Sequence, residues 1–258
     1  MNKMKQVVTA IFFILALVQA QSSFADHHET AETPAVFEAF SCNYTSNRGA
    51  NDLDKAVEFW LDQIPKVESA DFSNYFAAII KPIRSSSTAD FYWLGVSPNL
   101  NEFAKSTGAY YESAAGQAAD ARFAKMSKCT SNLFFGEPLH IGSPPTPDNT
   151  EFVLESYGCT IRAGQTMADV EAVEAEFIAM SKAQGSKSNV YRLTPYLANT
   201  PADIVYFVGH NDMVTFGKSS TMNLMSAAGA ASNQSVARVM DCNGSLNGGS
   251  IIHAPAAP

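Results

Sequence analysis

The most constraining feature of this sequence is that its second half repeats its first. With an offset of 117, Glu38 aligns with Glu155, and later in the chain an offset of 113 brings many residues into register. The tetrapeptide Ser-Ala-Ala-Gly at 113–116 recurs at 226–229. Because the matches keep their order in both halves, we predict an internal duplication, in which a loop absorbs the four-residue change in offset.

The four cysteines follow the same repeat. Cys42 and Cys159 lie near the starts of the two copies, and Cys129 and Cys242 lie near their ends. Four cysteines allow three disulfide connectivities. The repeat favours Cys42–Cys129 and Cys159–Cys242, since each copy would then carry its own bridge. A metal site on these cysteines is disfavoured, because the sequence contains no Cys-x-x-Cys pair.

The residue pattern of each copy predicts the order strand, helix, strand, strand, helix, strand. Asp52 is the predicted N-cap of the first helix, and in the second copy a helix is predicted from Asp169. One long Ala-rich helix is predicted over 99–128, with Gly108 and Gly116 as possible breaks. The predicted segments are a signal peptide 1–25, a disordered tail 26–35, a first repeat 36–141, a linker 142–151, a second repeat 152–252 and a C-terminal tail 253–258.

This βαββαβ order is that of the ferredoxin-like unit, in which the first and last strands lie side by side and antiparallel. That topology brings the cysteines of each copy together. Two such units in tandem resemble the dimeric α+β barrel superfamily, which includes antibiotic-biosynthesis-type monooxygenases, muconolactone isomerases, chlorite dismutases and dye-decolourising peroxidases. The resemblance implies an α+β fold, a pseudo-dimeric barrel with two sheets packed face to face, outer helices and a pocket between the repeats.

The resemblance lies in architecture, and we find no family-specific motif. The haem-binding members use a histidine in a setting that this sequence does not match. The resemblance therefore carries over no haem, and we predict no cofactor.

Residues 1–25 are typical of a bacterial signal peptide: Lys3 and Lys5 precede an apolar run, and small residues allow cleavage after Ala25 or Ala20. An uncleaved N-terminal anchor is the alternative. We expect a periplasmic or secreted protein that has no membrane segment after cleavage. The formal charge of −8 disfavours nucleic acid as a partner. The sequence does not indicate an oligomeric state.

Three residues are candidates for acid–base chemistry. Glu38 and Glu155 lie on the predicted first strands, where a carboxylate needs a partner or has a raised pKa, and pseudo-symmetry could place both in one cavity. The alternative is that they lie near the solvent end of the strand, or pair with Arg48, Arg162 or a lysine. His210 follows a predicted strand in Gly-His-Asn-Asp, a common position for functional residues and also for ordinary loop histidines.

Aromatic residues on the same predicted strands could line a pocket for a flat apolar ligand, or could simply form core. These residues are Phe40, Tyr44, Trp93, Tyr157 and Tyr206. If cleavage follows Ala25, the new N-terminus Asp26-His27-His28 could bind Cu(II) or Ni(II) in a square plane.

Three functions fit these observations. The first is an exported protein that binds a small apolar or aromatic ligand between its repeats. The second is a cofactor-independent monooxygenase- or isomerase-like enzyme with Glu or His residues as acid and base. The third is a protein–protein interaction module. Sequence signatures of P-loop NTPases, dinucleotide-binding folds, α/β-hydrolases and HExxH metalloproteases are absent from the chain, and the sequence does not decide whether the protein is an enzyme.

Overall fold

Eight antiparallel strands form a closed barrel, with the helices on its outer surface. The structure is a computed structural model that describes residues 33–68, 70, 72–143 and 150–255. The strands are β1 (Ala35–Tyr44), β2 (Phe76–Arg84), β3 (Phe91–Ser97), β4 (Ser127–Ile141), β5 (Glu151–Ile161), β6 (Asn189–Leu197), β7 (Ile204–His210) and β8 (Met240–His253). The described helices are α1 (Ala50–Gln63), α2 (Leu100–Glu112), α3 (Ala114–Met126), α4 (Met167–Ala183), α5 (Met213–Met225) and α6 (Ala227–Val239), and a short 3₁₀ turn (Ile64–Lys66) follows α1.

The strand order around the barrel is β1-β3-β2-β8-β5-β7-β6-β4. Each half of the chain therefore supplies four strands, and its first strand lies between its fourth and its third. The halves join through antiparallel pairing of β2 with β8 and of β4 with β6. Because both of these junctions are hydrogen-bonded, the barrel has no free edge strand.

Equivalent elements of the two halves match in their bounds. Adding 113 to the bounds of β2, β3, α2 and α3 gives the bounds of β6, β7, α5 and α6. Adding 117 to the bounds of β1 gives 152–161, which is β5 without its first residue. Cys42 pairs with Cys129 across β1 and β4, and Cys159 pairs with Cys242 across β5 and β8. Each bridge therefore stays within one half of the chain.

The barrel interior is filled by side chains, and this corrects the expectation of a ligand pocket between the two repeats. An apolar cluster that includes Phe37, Leu94, Phe134 and Leu193 draws on strands of both halves. A Cβ on Gly136 would lie 2.2 Å from the Phe37 ring, so even a methyl group has no room there. Alternation along each strand points one set of apolar residues into this interior and the other set towards the helices.

The long helix predicted over 99–128 is divided in the structure. Ser113 ends α2 and caps α3, because its hydroxyl accepts a hydrogen bond from the Gly116 N–H at 2.9 Å. A Cβ on Gly116 would lie 2.0 Å from the Tyr110 carbonyl oxygen, so glycine permits the close turn without itself being the break. Ser226 divides the second-half helix in the same way.

The predicted cap Asp52 and the predicted helix start Asp169 both lie inside the first turn of their helices. They lie at the third helical residue, and Gly49 and Thr166 are the caps. Each carboxylate reaches back to the backbone N–H of the cap residue, which is the reciprocal half of a capping box.

Within the described ranges, no helix combines the length and the apolar character needed to cross a membrane. The proposed signal peptide lies outside the described residues, and so do Asp26, His27 and His28.

Candidate functional site

A cavity of about 380 Å³ lies in the first half of the chain, between the outer face of its sheet and helices α1, α2 and α3. Its walls are mostly aromatic. The nine aromatic side chains that line it are Phe40, Trp60, Phe72, Tyr75, Phe91, Trp93, Tyr110, Tyr111 and Phe123. A concave, largely apolar space with a few polar groups is typical of a small-molecule site.

The floor of the cavity carries a hydrogen-bonded chain of three side chains. The indole Nε1 of Trp93 donates to the Tyr75 hydroxyl at 3.2 Å, and that hydroxyl donates to Oε1 of Glu38. Strand β1 places Glu38 directly opposite Gly95 on β3. A Cβ on Gly95 would lie 2.1 Å from the Tyr75 hydroxyl, so glycine makes the space in which Tyr75 and Glu38 meet.

A second carboxyl group faces the cavity from the helices. The Tyr110 hydroxyl on α2 donates to Oδ1 of Asp120 on α3 at 3.0 Å, and both residues line the cavity. Among the described residues that line it, none is a lysine, an arginine or a histidine. The cavity therefore combines an aromatic wall with two acidic groups and no basic one.

Burial raises the pKa of both acids. Loss of water raises the pKa of Glu38 above its usual 4.5; the Tyr75 hydrogen bond opposes this effect, and the negative charge of Asp120 adds to it. Burial also raises the pKa of Asp120, against the hydrogen bond from Tyr110. Burial and the neighbouring carboxyl raise the pKa of Tyr75 and of Tyr110, so both phenols stay protonated.

The second half carries a polar cluster in place of this floor. Nε2 of His210 lies 2.8 Å from Oε1 of Glu155, and Nδ1 lies 3.1 Å from the Ser188 hydroxyl. Ser188 in turn donates to Ser219 at 2.9 Å, and Tyr157 donates to Glu155. The His210 side chain is only 1% exposed, so this histidine is a buried partner of the glutamate.

The structure thus separates the sequence candidates. Glu155 and His210 come together, whereas Glu38 lies in the other half and lines a different space. Phe40 and Trp93 line the first-half cavity, and Tyr44 packs against the core and the Phe91 ring.

Two of the five aromatic candidates therefore face the cavity. Tyr157 is bonded to Glu155, and Tyr206 donates to Glu174 on α4 at 2.6 Å. No group of three or more His, Cys, Asp or Glu residues suited to a metal ion occurs among the described residues.

Sequence reasoning missed Trp60, Tyr75, Tyr110 and Asp120, all of which line the cavity. One signal was present in the sequence. The chain has two tryptophans, both in the first half, and both line this cavity. The second half has Phe177 and Tyr206 at the equivalent positions, so the two halves differ where the cavity lies.

No family model matches the chain, and no curated protein matches it in sequence. Solved structures match it in shape. A putative monooxygenase from Fusobacterium nucleatum aligns with a TM-score of 0.59 at 7% identity, over 88% of this chain and 98% of that one. An anthrone oxidase-like protein aligns at 0.55 and 10% identity, over 88% and 94%. A haem-binding protein from Thermus thermophilus aligns at 0.50 and 16% identity, over 86% and 92%. At these identities the likeness concerns the fold alone, and the fold is that of the dimeric α+β barrels.

Proposed function

We propose that this protein binds a small aromatic ligand in the cavity of its first half. The observation that carries the proposal is the cavity itself: about 380 Å³ of space with nine aromatic side chains around it and Glu38 at its floor. By contrast, apolar side chains fill the inside of the barrel. Aromatic walls favour a flat ligand, which they contact face to face or edge to face.

Binding can be measured by calorimetry with 1-naphthylmethanol, a neutral aromatic probe. Trp60 and Trp93 are the only tryptophans of the chain, so a change in tryptophan emission on binding places the probe in the cavity. Ala124 lies exposed at the rim of the cavity on α3, and Ala124→Phe should obstruct it and abolish binding.

The matched control is Ala237→Phe, the exposed equivalent position on α6. It should bind the probe like the unmodified protein. If the unmodified protein binds neither 1-naphthylmethanol nor a charged analogue of it, or if both phenylalanine variants bind equally well, the proposal is wrong.

The cavity residues do not fit haem, which one structural neighbour binds by its name. Haem iron takes an axial His, Cys thiolate, Met or Tyr ligand. The described lining has no His or Met, and Cys42 and Cys129 are joined in a disulfide. Burial raises the pKa of each of its three tyrosines, Tyr75, Tyr110 and Tyr111, and so disfavours the phenolate.

A histidine beside two of the lining residues does not change this conclusion. His253 packs on the Trp60 and Tyr75 rings, but its Nε2 lies 2.9 Å from the Phe72 carbonyl oxygen. No basic side chain of the described lining is available to receive the haem carboxylates.

A cofactor-independent enzyme is the second candidate, and the position of Glu38 favours it. A carboxyl group with a raised pKa is a stronger base than an exposed one, and Tyr75 fixes its orientation within the cavity. Glu38 could take a proton from an acidic C–H of a bound aromatic. With dioxygen as the oxidant, anthrone would then give anthraquinone and water.

Anthrone is a suitable probe because one structural neighbour is anthrone oxidase-like by name. The enzyme proposal expects dioxygen uptake and anthraquinone formation above the uncatalysed rate. Glu38→Gln should lose this turnover, whereas Glu155→Gln should keep it. An unchanged rate in Glu38→Gln would exclude Glu38 as the base.

We also propose that each half is a ferredoxin-like repeat and that the protein is exported to an oxidising compartment. The strand order within each half and the equivalent element bounds support the first proposal. The two disulfides support the second, because such bridges persist in oxidising environments. N-terminal sequencing of the mature protein would test the cleavage site after Ala25 or Ala20.

A further inference from the structure

The cavity has an unbalanced charge. Glu38 on β1 and Asp120 on α3 both line it, and they are close enough for Asp120 to oppose ionisation of Glu38. No lysine, arginine or histidine belongs to the described lining. An anionic ligand would meet two carboxyl groups and no compensating charge, which is unfavourable in a space of low polarity.

We propose that the ligand is an aromatic organic cation, whose ammonium group lies between Glu38 and Asp120. This inference rests on the proposed binding function and names the class of ligand. Trp60, Trp93 and Tyr110 line this space from three different elements. Tryptophan and tyrosine faces attract ammonium groups, and such aromatic cages are the common solution for binding organic cations.

The floor of the cavity is arranged to accept hydrogen bonds from a ligand. Tyr75 occupies Oε1 of Glu38, and among the described residues no hydrogen bond reaches its Oε2. Glu38 lies beneath the helices, with part of its surface open to the cavity. A donor on the ligand would pair with this oxygen, and a charged donor would also offset the cost of the buried carboxylate.

The second half provides an internal comparison. The residues equivalent to Asp120, Tyr110 and Trp93 are Asn233, Asn223 and Tyr206, so at these positions the second half has neither the acid nor the indole. Asn233 donates its side-chain N–H to the Asn223 carbonyl oxygen at 2.9 Å. The pairing of Tyr110 with Asp120 therefore belongs to the half that has the cavity.

The experiment uses three probes of nearly equal size: 1-naphthylmethylammonium, 1-naphthylmethanol and 1-naphthoate. Each is titrated into the full-length mature protein at pH 7 by calorimetry, with tryptophan emission as a second readout. We expect the ammonium probe to bind about tenfold or more tighter than the alcohol, as one charge-assisted hydrogen bond implies. The carboxylate should bind most weakly.

Variants then assign the preference to the two acids. Glu38→Gln and Asp120→Asn should each reduce the ammonium affinity by about tenfold and leave the alcohol affinity within about threefold. Glu155→Gln, the equivalent change in the second half, should alter neither. Thermal unfolding of each variant confirms that it is folded before titration.

The outcomes separate the two proposals. If the alcohol or the carboxylate binds as tightly as the ammonium probe, the cation inference is wrong and the binding function stands. If none of the three binds, both proposals fail. If the ammonium preference survives both substitutions, the two carboxyl groups are not its cause and the inference is overturned.

Discussion

Replacing Gly95 by alanine should destabilise the protein and disrupt the cavity floor. Gly95 lies on the central strand β3, opposite Glu38. An added Cβ would lie 2.1 Å from the Tyr75 hydroxyl, 2.5 Å from Oε1 of Glu38 and 2.7 Å from its Cγ. Atoms cannot approach so closely, so Tyr75 and Glu38 must separate or the strands must move.

The expected loss is about 2 to 4 kcal/mol of unfolding free energy. Inserting one methyl group into a packed site costs about 1 to 3 kcal/mol. The hydrogen bond between Tyr75 and Glu38 is lost as well, and such bonds to a charged group contribute about 1.5 to 3 kcal/mol. The sum is partly relieved because the Glu38 carboxyl can turn into the cavity. For a domain of this size, the melting temperature should fall by about 4 to 16 °C.

Urea unfolding followed by tryptophan emission measures this loss, because both tryptophans line the same cavity. Gly158→Ala is the matched control. Gly158 lies on β5, between β7 and β8 in the second half, and a Cβ there would make an ordinary 3.5 Å contact with Ala202. We expect this control to be neutral or slightly stabilising. If Gly95→Ala is as stable as Gly158→Ala, the reasoning about the cavity floor is wrong.

Three further changes test other features of the structure. Replacing Cys42 and Cys129 together by alanine opens a loop of 87 residues and should cost about 3 to 5 kcal/mol in urea unfolding; a loss below about 1 kcal/mol would contradict this. Relative to the unmodified protein, Glu38→Gln should become more stable as the pH rises from about 4 to about 8. Burial raises the pKa of Glu38 in the folded protein above its usual 4.5, so ionisation of this carboxyl at higher pH favours the unfolded chain. Melting temperatures across that range check the sign, and a constant difference would refute it. Arg192→Ala should cost about 3 to 5 kcal/mol of unfolding free energy, because it removes the ion pair at 2.8 Å with the buried Glu174 of α4. Arg48→Ala removes an exposed ion pair with Asp52 and should cost less than about 1 kcal/mol. Equal losses in chemical denaturation would show that burial does not distinguish the two pairs.

The elements that the sequence predicted well are those with local and repeated signals. The apolar, aromatic-rich runs at 75–83 and 90–96 predicted β2 and β3 to within one residue at each end. The division at Ser113 was missed, because a serine that ends one helix and caps the next resembles any exposed helical serine. The sequence indicated the last strand only near 250–252, whereas β8 extends over Met240–His253. Gly, Ser and Asn residues fill much of this strand, and its stability comes from β2 and β5 on either side.

The candidate site was predicted only in part. Glu38 was singled out because a carboxylate on a central strand needs a partner, and that argument uses only its position in the sequence. Its partner Tyr75 comes from a loop 37 residues later, and Asp120 faces it from a helix 82 residues later. The expected meeting of Glu38 with Glu155 fails because the two residues point outwards, towards the helices of their own halves.

By itself, the sequence determined the repeat, the order of the elements and the partners of the four cysteines. These follow from periodicity and from the antiparallel neighbours that the order imposes within each copy. Only the tertiary structure decided where the empty space lies. A closed barrel turns one face of every strand inwards, where side chains from all strands fill the interior, and turns the other face towards the helices. Whether the space between this outer face and the helices is filled depends on side chains from distant elements. In the first half, where Glu38, Tyr75 and Asp120 surround one cavity, that space stays open.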